Sequence, residues 1–536
     1  MSAQIDRFVH DGLPPAELLP VFRYDLPELQ FPDQLNLVGE LLDKAPAKGF
    51  GDRPMLRSPT RTLTYAQASI EVNRIAQVLT EDLGLVPGNR VLLRGGNSIP
   101  MALAWLAVVK AGLIAVATMP LLRARELNDI VDKSKPAVAL CEAKLIEDML
   151  VSQQANPVLR TVLAFNSDAP DALEALAAKK SGVFAACPTS ADDIALLAFT
   201  SGTTGKPKAP ATTHRDVLAM CETWPRHILK ATSDDIVMGS PPLAFTFGLG
   251  GLLIYPMWAG SSIYYPDIPY TPEGMVKLIN EMGATIVYTA PTFYRQMAPF
   301  AKQHGVPTLR ITVSAGEALP DATRQLWKDA TGIEMLDGIG GTEVFHIYIS
   351  AAGHEVKRGA IGKAVPGFTA KVVDDQGDEV PRGTVGKLAI QGPVGCRYFD
   401  DARQTAYVKD GWNYPGDAFR QDDDGYFFYQ ARADDMIITA GYNVGGPEVE
   451  DALLQHAAVA ECGVIGKPDD DRGMIVKAYC VLKPGHTGDA ALRKMLQDHV
   501  KATIAPYKYP REIEFVDALP RTETGKLQRF KLRQTP

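Results

Sequence analysis

The stretch Phe199–Lys208, which reads Phe-Thr-Ser-Gly-Thr-Thr-Gly-Lys-Pro-Lys, carries residue types that bind an anion. Glycine lets the backbone bend around a phosphate group, hydroxyl and N–H groups donate hydrogen bonds to its oxygens, and lysine offsets its charge. A Walker loop is excluded because it requires four residues between its two glycines, whereas Gly202 and Gly205 are separated by two. The remaining interpretations are a phosphate loop of another kind and a flexible surface loop rich in small polar residues.

Five further clusters place glycines and turns next to charged or hydroxyl side chains at the ends of predicted strands. Each cluster alone is as consistent with a turn and a helix cap as with a binding site. The clusters are Ser314–Glu317, Asp337–Glu343, Tyr414–Asp417, Arg432–Asp435 together with Gly441, and Pro520–Lys526. Their number and order favour a site built from distant parts of the chain.

The elements that must position these clusters are predicted to form α/β layers in the first two-thirds of the chain. Leu63–Gly84 is predicted to be a helix that begins with a capping box of Thr64 and Gln67. From there to about residue 341, short β-branched runs such as Ile114–Thr118 alternate with amphipathic stretches such as Glu273–Met282. This alternation predicts parallel sheets covered by helices.

The pattern changes twice beyond residue 359. Glycines and short alternating runs, such as Ala370–Val373 and Gly386–Gln391, predict a smaller antiparallel β subdomain. After Arg432, the helical patterns Pro447–His456 and Ala490–Ile504 and the strand patterns between and after them predict a compact α+β domain.

Composition argues against several classes of function. The 536 residues are 46% hydrophobic and 22% charged, as in soluble globular proteins, and the net charge of −8 gives no support for binding nucleic acid or an anionic membrane. Lys110, Gly112 and Pro120 interrupt the most apolar stretch, Ile99–Leu122, which predicts a core helix and a core strand rather than a membrane span. The six scattered cysteines and the absence of an evident signal peptide predict a cytoplasmic protein.

Taken in order, the motifs resemble those of the adenylate-forming superfamily, which includes acyl-CoA synthetases, peptide-synthetase adenylation domains and luciferases. The resemblance extends from about residue 35 to Arg533, and Phe199–Lys208 matches the most specific motif. It implies an α/β fold with a large N-terminal domain, residues 1–431, made of layered sheets and a β-barrel-like subdomain. It also implies a hinge at residues 432–434, with Asp434 as the hinge residue, and a small mobile α+β domain at residues 435–536.

The implied reaction is the activation of a carboxylic acid by ATP. A carboxylate is a poor acyl donor, so it attacks the α-phosphate of ATP to form acyl-AMP and pyrophosphate, and a thiol then displaces AMP. Two anions must meet while negative charge builds on phosphorus, so placed cations and hydrogen-bond donors should carry the catalysis. The implied cofactors and co-substrates are ATP, Mg²⁺ and CoA.

The resemblance assigns roles to individual residues. Lys526 is the implied catalytic lysine that bridges the carboxylate and the α-phosphate, Thr342 donates to the α-phosphate, and Glu343 is the implied Mg²⁺ ligand. The residues implied to bind ATP or AMP are Thr200, Ser201, Gly202, Thr203, Thr204, Gly205, Lys208, Ala315, Gly316, Glu317, Asp337, Gly338, Ile339, Gly340, Asp417 and Arg432.

Within this set, the loop is expected to hold the β- and γ-phosphates, and Gly316 and Glu317 to border adenine. Asp337 is expected near the adenine amino group, Asp417 on the ribose hydroxyls, and Arg432 on the ribose or a phosphate. After adenylation, the small domain should turn, withdraw Lys526 and bring the CoA-binding residues to the site. The implied CoA residues are Gly441, Tyr442, Tyr507 and Arg511.

Three positions depart from the usual motifs. Ala209, followed by Pro210, stands where a second loop glycine is usual, Ile339 replaces the aromatic residue that commonly stacks on adenine, and Phe245 replaces a histidine found in many relatives. None of these changes removes a charged catalytic group, so we predict an active enzyme.

Small and aromatic residues beside the motifs predict a short, flat pocket for the acid. The implied lining residues are Ala244, Phe245, Phe247, Ala290, Ala315, Ile339, Gly340, Gly341 and His346, with Tyr294 as a further wall. Some of these, His346 among them, fit equally well as core residues. Asp337–Ile347 resembles benzoate-type CoA ligases and Pro241–Gly251 resembles 2-aminobenzoate-CoA ligases, so a small aromatic carboxylate is predicted, with 2-aminobenzoate first and benzoate second.

Three functions remain open on the sequence. The first is an AMP-forming aryl-CoA ligase, and the second is an acyl-AMP ligase that loads the phosphopantetheine thiol of a carrier protein. The third is a nucleotide-binding protein without catalysis, which Glu343 and Lys526 disfavour. The expected partners are the aromatic acid, ATP and CoA, without nucleic acid or membrane; a carrier protein and a homodimer are left open.

Overall fold

The computed structural model describes residues 1–200, 207–266, 270–432, 435–439, 442–469, 472–504, 506–521 and 526–534. The strands are β1 Pro54–Arg57, β2 Thr62–Thr64, β3 Arg90–Arg94, β4 Ile114–Thr118, β5 Val138–Glu142, β6 Thr161–Phe165, β7 Ile194–Leu197, β8 Ala211–Thr213, β9 Ile236–Gly239, β10 Ser262–Tyr264, β11 Ile286–Thr289, β12 Ile311–Ser314, β13 Leu336–Gly340, β14 Ile347–Ser350, β15 Lys363–Ala364, β16 Thr369–Val373, β17 Val385–Gln391, β18 Val408–Lys409, β19 Trp412–Asn413, β20 Asp417–Gln421, β21 Phe427–Arg432, β22 Ile437–Thr439, β23 Tyr442–Val444, β24 Val459–Asp469, β25 Gly473–Leu482 and β26 Glu512–Phe515. The α-helices are α1 Phe8–Asp11, α2 Tyr65–Gln77, α3 Ile99–Lys110, α4 Ala124–Ser134, α5 Ile146–Ala155, α6 Leu173–Ala177, α7 His214–Glu222, α8 Thr246–Leu249, α9 Tyr255–Ala259, α10 Pro272–Met282, α11 Pro291–His304, α12 Asp321–Thr331, α13 Gln404–Tyr407, α14 Gly446–Leu454, α15 Ala490–Thr503 and α16 Arg529–Gln534.

The first parallel sheet positions the start of the predicted phosphate loop. Its strand order is β6-β5-β3-β4-β7-β8, and every neighbouring pair is parallel except β7 and β8. Strands β3 and β5 are buried at every position, as expected for strands covered on both faces. Strand β7 ends at Leu197, so the loop begins at the carboxyl edge of this sheet.

The second sheet brings two of the glycine clusters together. Its order is β15-β14-β13-β12-β11-β9-β10-β1-β2, and the pairs from β13 to β1 are parallel. Strands β12 and β13 are neighbours, with Ser314 in register with Asp337. The clusters that begin at these two residues therefore leave the sheet side by side at one edge.

Two helices of the large core confirm the local sequence signals. Thr64 Oγ1 accepts a hydrogen bond from the Gln67 N–H at 3.2 Å, and Gln67 Oε1 accepts one from the Thr64 N–H at 2.9 Å, which completes the predicted capping box. Helix α3 is buried along almost its whole length and is followed by β4, so the apolar stretch is a core helix and a core strand. Within the described part of the chain, no helix is both long and apolar enough to cross a membrane.

The last third of the chain forms two further sheets. Strands β16 to β21 make an antiparallel sheet, which confirms the predicted antiparallel subdomain. Strands β22 to β26 form a separate five-stranded sheet, which packs with α14 and α15 around its own apolar core. The predicted hinge residue, Asp434, lies outside the described residues.

Candidate active site

The base of the predicted phosphate loop is a short antiparallel bridge. The N–H of Thr200 donates to the carbonyl of Lys208 at 3.1 Å, and the N–H of Lys208 donates back at 3.2 Å. The predicted residues Ser201, Gly202, Thr203, Thr204 and Gly205 lie outside the described residues. Next to the bridge, the buried Ala209 accepts a hydrogen bond from the N–H of Phe399 at 2.9 Å. The alanine that replaces the usual glycine is thus part of a backbone pairing between distant segments.

Tyr398 connects two residues that the sequence placed in the site. Its hydroxyl donates to Oε1 of Glu343 at 2.6 Å, and Nζ of Lys208 donates to the same hydroxyl oxygen at 3.1 Å. Burial and the nearby Glu343 carboxylate raise the pKa of Tyr398, which keeps its hydroxyl protonated and able to donate.

Tyr398 was not predicted from the sequence, although one signal was present. Arg397-Tyr398 are the polar residues of an otherwise small and apolar run, Gly392–Phe399, where buried polar side chains require partners. Arg397 has a structural partner, because its guanidinium pairs with the buried carboxylate of Asp216 at 2.5 Å.

The turn that carries Thr342 and Glu343 has strained backbone geometry. Thr342–Val344 form one 3₁₀ turn, and the buried Phe345 that follows has φ +68°, which an aromatic residue adopts rarely. The N–H of Gly341 closes the turn on the carbonyl of His346 at 3.2 Å. Such outliers concentrate at functional sites, where the surrounding structure holds them in place.

Glu343 has the chemistry expected of a residue that binds a magnesium ion together with a nucleotide. Among the described residues, no cluster of three or more histidine, cysteine or carboxylate side chains could hold a metal ion. Mg²⁺ does not need such a cluster, because it commonly uses one or two carboxylates together with substrate phosphates and water. One Glu343 oxygen already accepts from Tyr398, and the carboxylate remains partly exposed.

The adenine side of the predicted site lies where β12 and β13 end. Gly316 has φ +93°, a conformation that favours glycine. The Glu317 carboxylate is occupied by protein partners: Oε1 accepts from the N–H and hydroxyl of Thr292 at 3.2 and 2.8 Å, and Oε2 lies 3.5 Å from the Arg521 guanidinium. The Glu317 side chain is therefore held by protein partners, and the contact of this segment with adenine stays a prediction.

Asp337 is a buried carboxyl on β13. Burial raises its pKa to about 6, while Arg324, whose guanidinium lies 3.7 Å away, and the Gly338 N–H act in the opposite direction. On the same strand, Gly338 and Gly340 permit close packing, because a Cβ on Gly340 would lie 2.4 Å from the carbonyl oxygen of His346. These glycines have a packing role besides any contact with a nucleotide.

The predicted ribose residues face each other across two strands. Asp417 at the start of β20 is in register with Arg432 at the end of β21, and their side chains form an ion pair at 3.2 Å. Asp417 is buried and Arg432 is exposed. The pair stands at the end of the antiparallel sheet, next to the beginning of the C-terminal sheet.

Lys526 reaches this site from the C-terminal part of the chain. A Cβ built on Gly316 would lie 3.9 Å from its Cε. Its side chain keeps access to solvent, yet the surrounding walls lower the pKa of the ammonium group by desolvating the charge. Arg432 acts in the same direction, and the carboxylates of Glu317, Glu343 and Asp417 act against it. The structure thus brings together Lys526 and residues predicted from four other motifs.

The residues predicted to line the acid pocket differ in how far they are buried. Ala244 and Ala315 are buried, whereas Phe245, Phe247, Ala290 and Ile339 are half-buried, and Gly340 and Gly341 keep access to solvent. The prediction for Tyr294 as a pocket wall is wrong. Tyr294 is fully buried between α11 and α12, stacks edge-on against Trp327, and donates its hydroxyl to the carbonyl of Val287 at 2.7 Å.

His346 belongs to a buried aromatic cluster behind Phe247. Its ring lies 4.7 Å from Tyr255, 5.4 Å from Trp224 and 5.5 Å from Phe247, measured between centroids. Burial lowers the pKa of His346 to about 3, so the imidazole is neutral. His346 therefore supports Phe247 from the core side, and its Nε2 lies 3.4 Å from the carbonyl of that residue.

The predicted CoA residues are only partly described. Gly441 and the side chain of Tyr442 lie outside what the structure describes. Tyr507 is exposed, and the Arg511 guanidinium lies over the ring of Tyr509 at 4.9 Å.

Comparison with known proteins identifies the family. AMP-binding enzymes match residues 43–398, and the C-terminal domain of AMP-binding enzymes matches residues 448–526. The chain belongs to the AMP-binding enzyme family. This AMP-binding enzyme is an AMP-forming acid–CoA ligase of the adenylate-forming superfamily, as the motifs indicated.

Its relatives include enzymes named for small aromatic acids. The ligase is 36% identical to the benzoate–CoA ligase of Thauera aromatica over 95% of this chain and 97% of the relative. It is 32% identical to the 4-hydroxybenzoate–CoA/benzoate–CoA ligase of Rhodopseudomonas palustris, over 93% and 94% of the two chains. The crystal structure of the anthranilate CoA ligase AuaEII in complex with anthranoyl-AMP superposes with a TM-score of 0.89 and 33% identity, over 95% of this chain and 98% of that one.

Proposed function

We propose that this ligase activates a small aromatic carboxylate, of the 2-aminobenzoate or benzoate type, as an acyl-AMP and transfers the acyl group to CoA. The observation that carries the proposal is the position of Lys526. It approaches Gly316, at the shared edge of β12 and β13. The carboxylates of Glu317, Glu343 and Asp417 stabilise the positive charge of its ammonium group. A cation at this junction can attract the acid carboxylate and offset the charge that builds on the α-phosphorus.

The nucleotide is proposed to bind along this edge. The loop above the Thr200–Lys208 bridge holds the β- and γ-phosphates, Thr342 donates to the α-phosphate, and the buried Asp417 accepts from the ribose hydroxyls. Lys208 approaches the leaving pyrophosphate, and its hydrogen bond to Tyr398 fixes the direction of its side chain. These residues bind and orient the substrates without forming a covalent bond to them.

Glu343 is proposed to hold a magnesium ion together with the phosphates. When bound, that ion would offset phosphate charge and polarise the reacting phosphoryl group. The Tyr398 hydroxyl donates a hydrogen bond to one oxygen of Glu343, which restrains the orientation of the carboxylate.

A small aromatic acid is supported by the pocket and by the relatives. Buried Ala244 and Ala315 leave little side-chain bulk, and the half-buried rings of Phe245 and Phe247 offer flat apolar surface. The neutral His346 packs behind Phe247, so the far wall carries no charge that would attract a second carboxylate. The names of the relatives agree with an acid of this class.

The second half-reaction is proposed to use a different domain orientation. The proposed domains are residues 1–431 and 435–536. A rotation of the second domain about residues 432–434 withdraws Lys526. The Gly441 segment then approaches the acyl-AMP, and Tyr507 and Arg511 contact the CoA nucleotide. The separate apolar core of the C-terminal sheet supports a rigid-body movement of this kind.

The proposal is tested by ATP–pyrophosphate exchange with a panel of carboxylic acids, followed by thioester formation with CoA. We expect exchange with benzoate and 2-aminobenzoate, weak exchange with long alkyl acids, and a thioester product with free CoA. Exchange in the absence of any acid would contradict ligase function. Exchange with an aryl acid but no thioester with CoA would instead favour transfer to a carrier protein.

A further inference from the structure

A carboxylate of the C-terminal sheet region caps a helix of the large domain. Helix α12 has Pro320 at its N-cap position, so it lacks a side-chain cap of its own. Oδ1 of Asp451, on α14, accepts a hydrogen bond from the N–H of Ala322 in the first turn of α12 at 3.0 Å. The first N–H groups of a helix need such acceptors. Burial and the neighbouring Asp321 carboxylate raise the pKa of Asp451, so the contact stabilises as a hydrogen bond rather than through its charge.

A second contact, close to Lys526, joins the large domain to the C-terminal region. Arg521 is paired with Leu527 in an antiparallel bridge, so it lies beside the residue that follows Lys526 in the chain. Its guanidinium lies 3.5 Å from Oε2 of Glu317 in the large domain and 2.8 Å from Oε2 of Glu461 in the C-terminal sheet. Because Glu317 follows Gly316 directly, this ion pair and the approach of Lys526 to Gly316 involve adjacent residues of one segment.

These contacts are suited to an interface between the large domain and the C-terminal region that forms for adenylation and separates afterwards. On separation, the N–H of Ala322 and the carboxylate of Asp451 would both regain water, so neither group would be left buried without a partner. Both contacts would also be lost together, because α14 and Leu527, the bridge partner of Arg521, pack on the same sheet.

We propose that Asp451 and Arg521 are positioning residues that hold the C-terminal region in the orientation required for adenylation. This inference rests on the proposed two-step function, and neither residue is assigned a contact with a substrate. Asp451 sets the docking of α14 on α12, and Arg521 holds its bridge with Leu527, next to Lys526, against Glu317. Removing either residue disfavours the first half-reaction and leaves the second, which uses another orientation, unaffected or faster.

The test compares the two half-reactions in full-length variants. Asp451→Ala should lower the rate of ATP–pyrophosphate exchange by about 2- to 30-fold, the range expected for loss of a helix cap. Thioester formation from supplied benzoyl-AMP and CoA should be unchanged or faster. Asp451→Asn, which keeps a carbonyl acceptor, should recover part of the exchange rate. Equal losses in both half-reactions would overturn the proposal.

Two further variants distinguish a loss of the contacts between the two regions from a general loss of folding. Arg521→Gln removes the other contact and should show the same selective loss of exchange. Asp498→Ala is the matched control, because it removes a carboxylate whose pairing with Lys494 lies within α15. It should change neither half-reaction, and a loss of exchange in this variant equal to that in Asp451→Ala would contradict the assignment.

A distance measurement separates this inference from the proposed function. Fluorophores at Lys302→Cys in α11 and Lys494→Cys in α15, both exposed positions, report the orientation of the two regions in a Cys187→Ser background. With ATP and benzoate, Asp451→Ala should reduce the population with the parent distance. An unchanged distance distribution would refute the positioning role. Failure of the parent protein to exchange pyrophosphate with any acid would refute the proposed function alone.

Discussion

Removing the Tyr398 hydroxyl should weaken the first half-reaction strongly while leaving the fold intact. Tyr398→Phe deletes a 2.6 Å hydrogen bond to the Glu343 carboxylate and a 3.1 Å bond from Lys208. A hydrogen bond to a charged group contributes about 1.5–3 kcal/mol. Because 1.36 kcal/mol corresponds to a factor of ten, the pyrophosphate-exchange rate should fall by about 10- to 150-fold.

The matched control is Tyr407→Phe. Tyr407 lies against Tyr398 with ring centroids 5.6 Å apart, and its buried hydroxyl has no hydrogen-bond partner among the described residues. Exchange measured across a magnesium titration should show a lower rate and a higher half-saturating magnesium concentration for Tyr398→Phe only. If both variants lose the same activity, or if Tyr398→Phe remains within twofold of the parent enzyme, the role given to the hydroxyl is wrong.

Three further predictions test other parts of the molecule. Asp337 has a pKa of about 6 in the folded protein and 3.8 in the unfolded chain, so the native state binds the proton more tightly. The free energy of unfolding should therefore fall by about 3 kcal/mol as the pH rises from about 4 to above 6. Asp337→Asn should abolish that decline in urea denaturation, and an unchanged pH slope would contradict the burial argument. Thr64→Ala should lower the free energy of unfolding by about 1 kcal/mol through loss of the capping box, whereas Thr60→Ala, at an exposed position, should not. Lys526→Ala should reduce pyrophosphate exchange by about 100-fold or more and spare thioester formation from supplied aryl-AMP; equal loss in both steps would refute the proposed domain rotation.

The sequence predicts elements whose signals are local. Strand β4 matches the predicted range Ile114–Thr118, and α2 begins beside its capping box as expected. The end of that helix differs from the prediction, because Val78–Asp82 form a π-helical turn and Leu63 belongs to β2. Periodicity is insensitive to these changes, since apolar residues continue through both segments.

Contacts between distant residues could not be predicted in the same way. The motif resemblance named Lys208 and Glu343, but no local pattern places the Tyr398 hydroxyl between them. The capping of α12 by Asp451 requires a residue 129 positions away from Ala322. The prediction for Tyr294 failed for a similar reason. An aromatic side chain fits a pocket wall and a protein core equally well, and its packing against the distant Trp327 cannot be read from the local sequence.

In the proposed function, the hydrogen bonds of Tyr398 would make magnesium binding at Glu343 and polyphosphate binding at Lys208 thermodynamically dependent on each other. Its single hydroxyl proton is directed to Glu343, so its oxygen is left to accept from Lys208. A divalent cation on Glu343 would draw electron density along this path and change how firmly Lys208 is held, and an anion at Lys208 would act in return. By linkage, the factor by which magnesium raises the affinity for the polyphosphate must equal the factor by which the polyphosphate raises the affinity for magnesium.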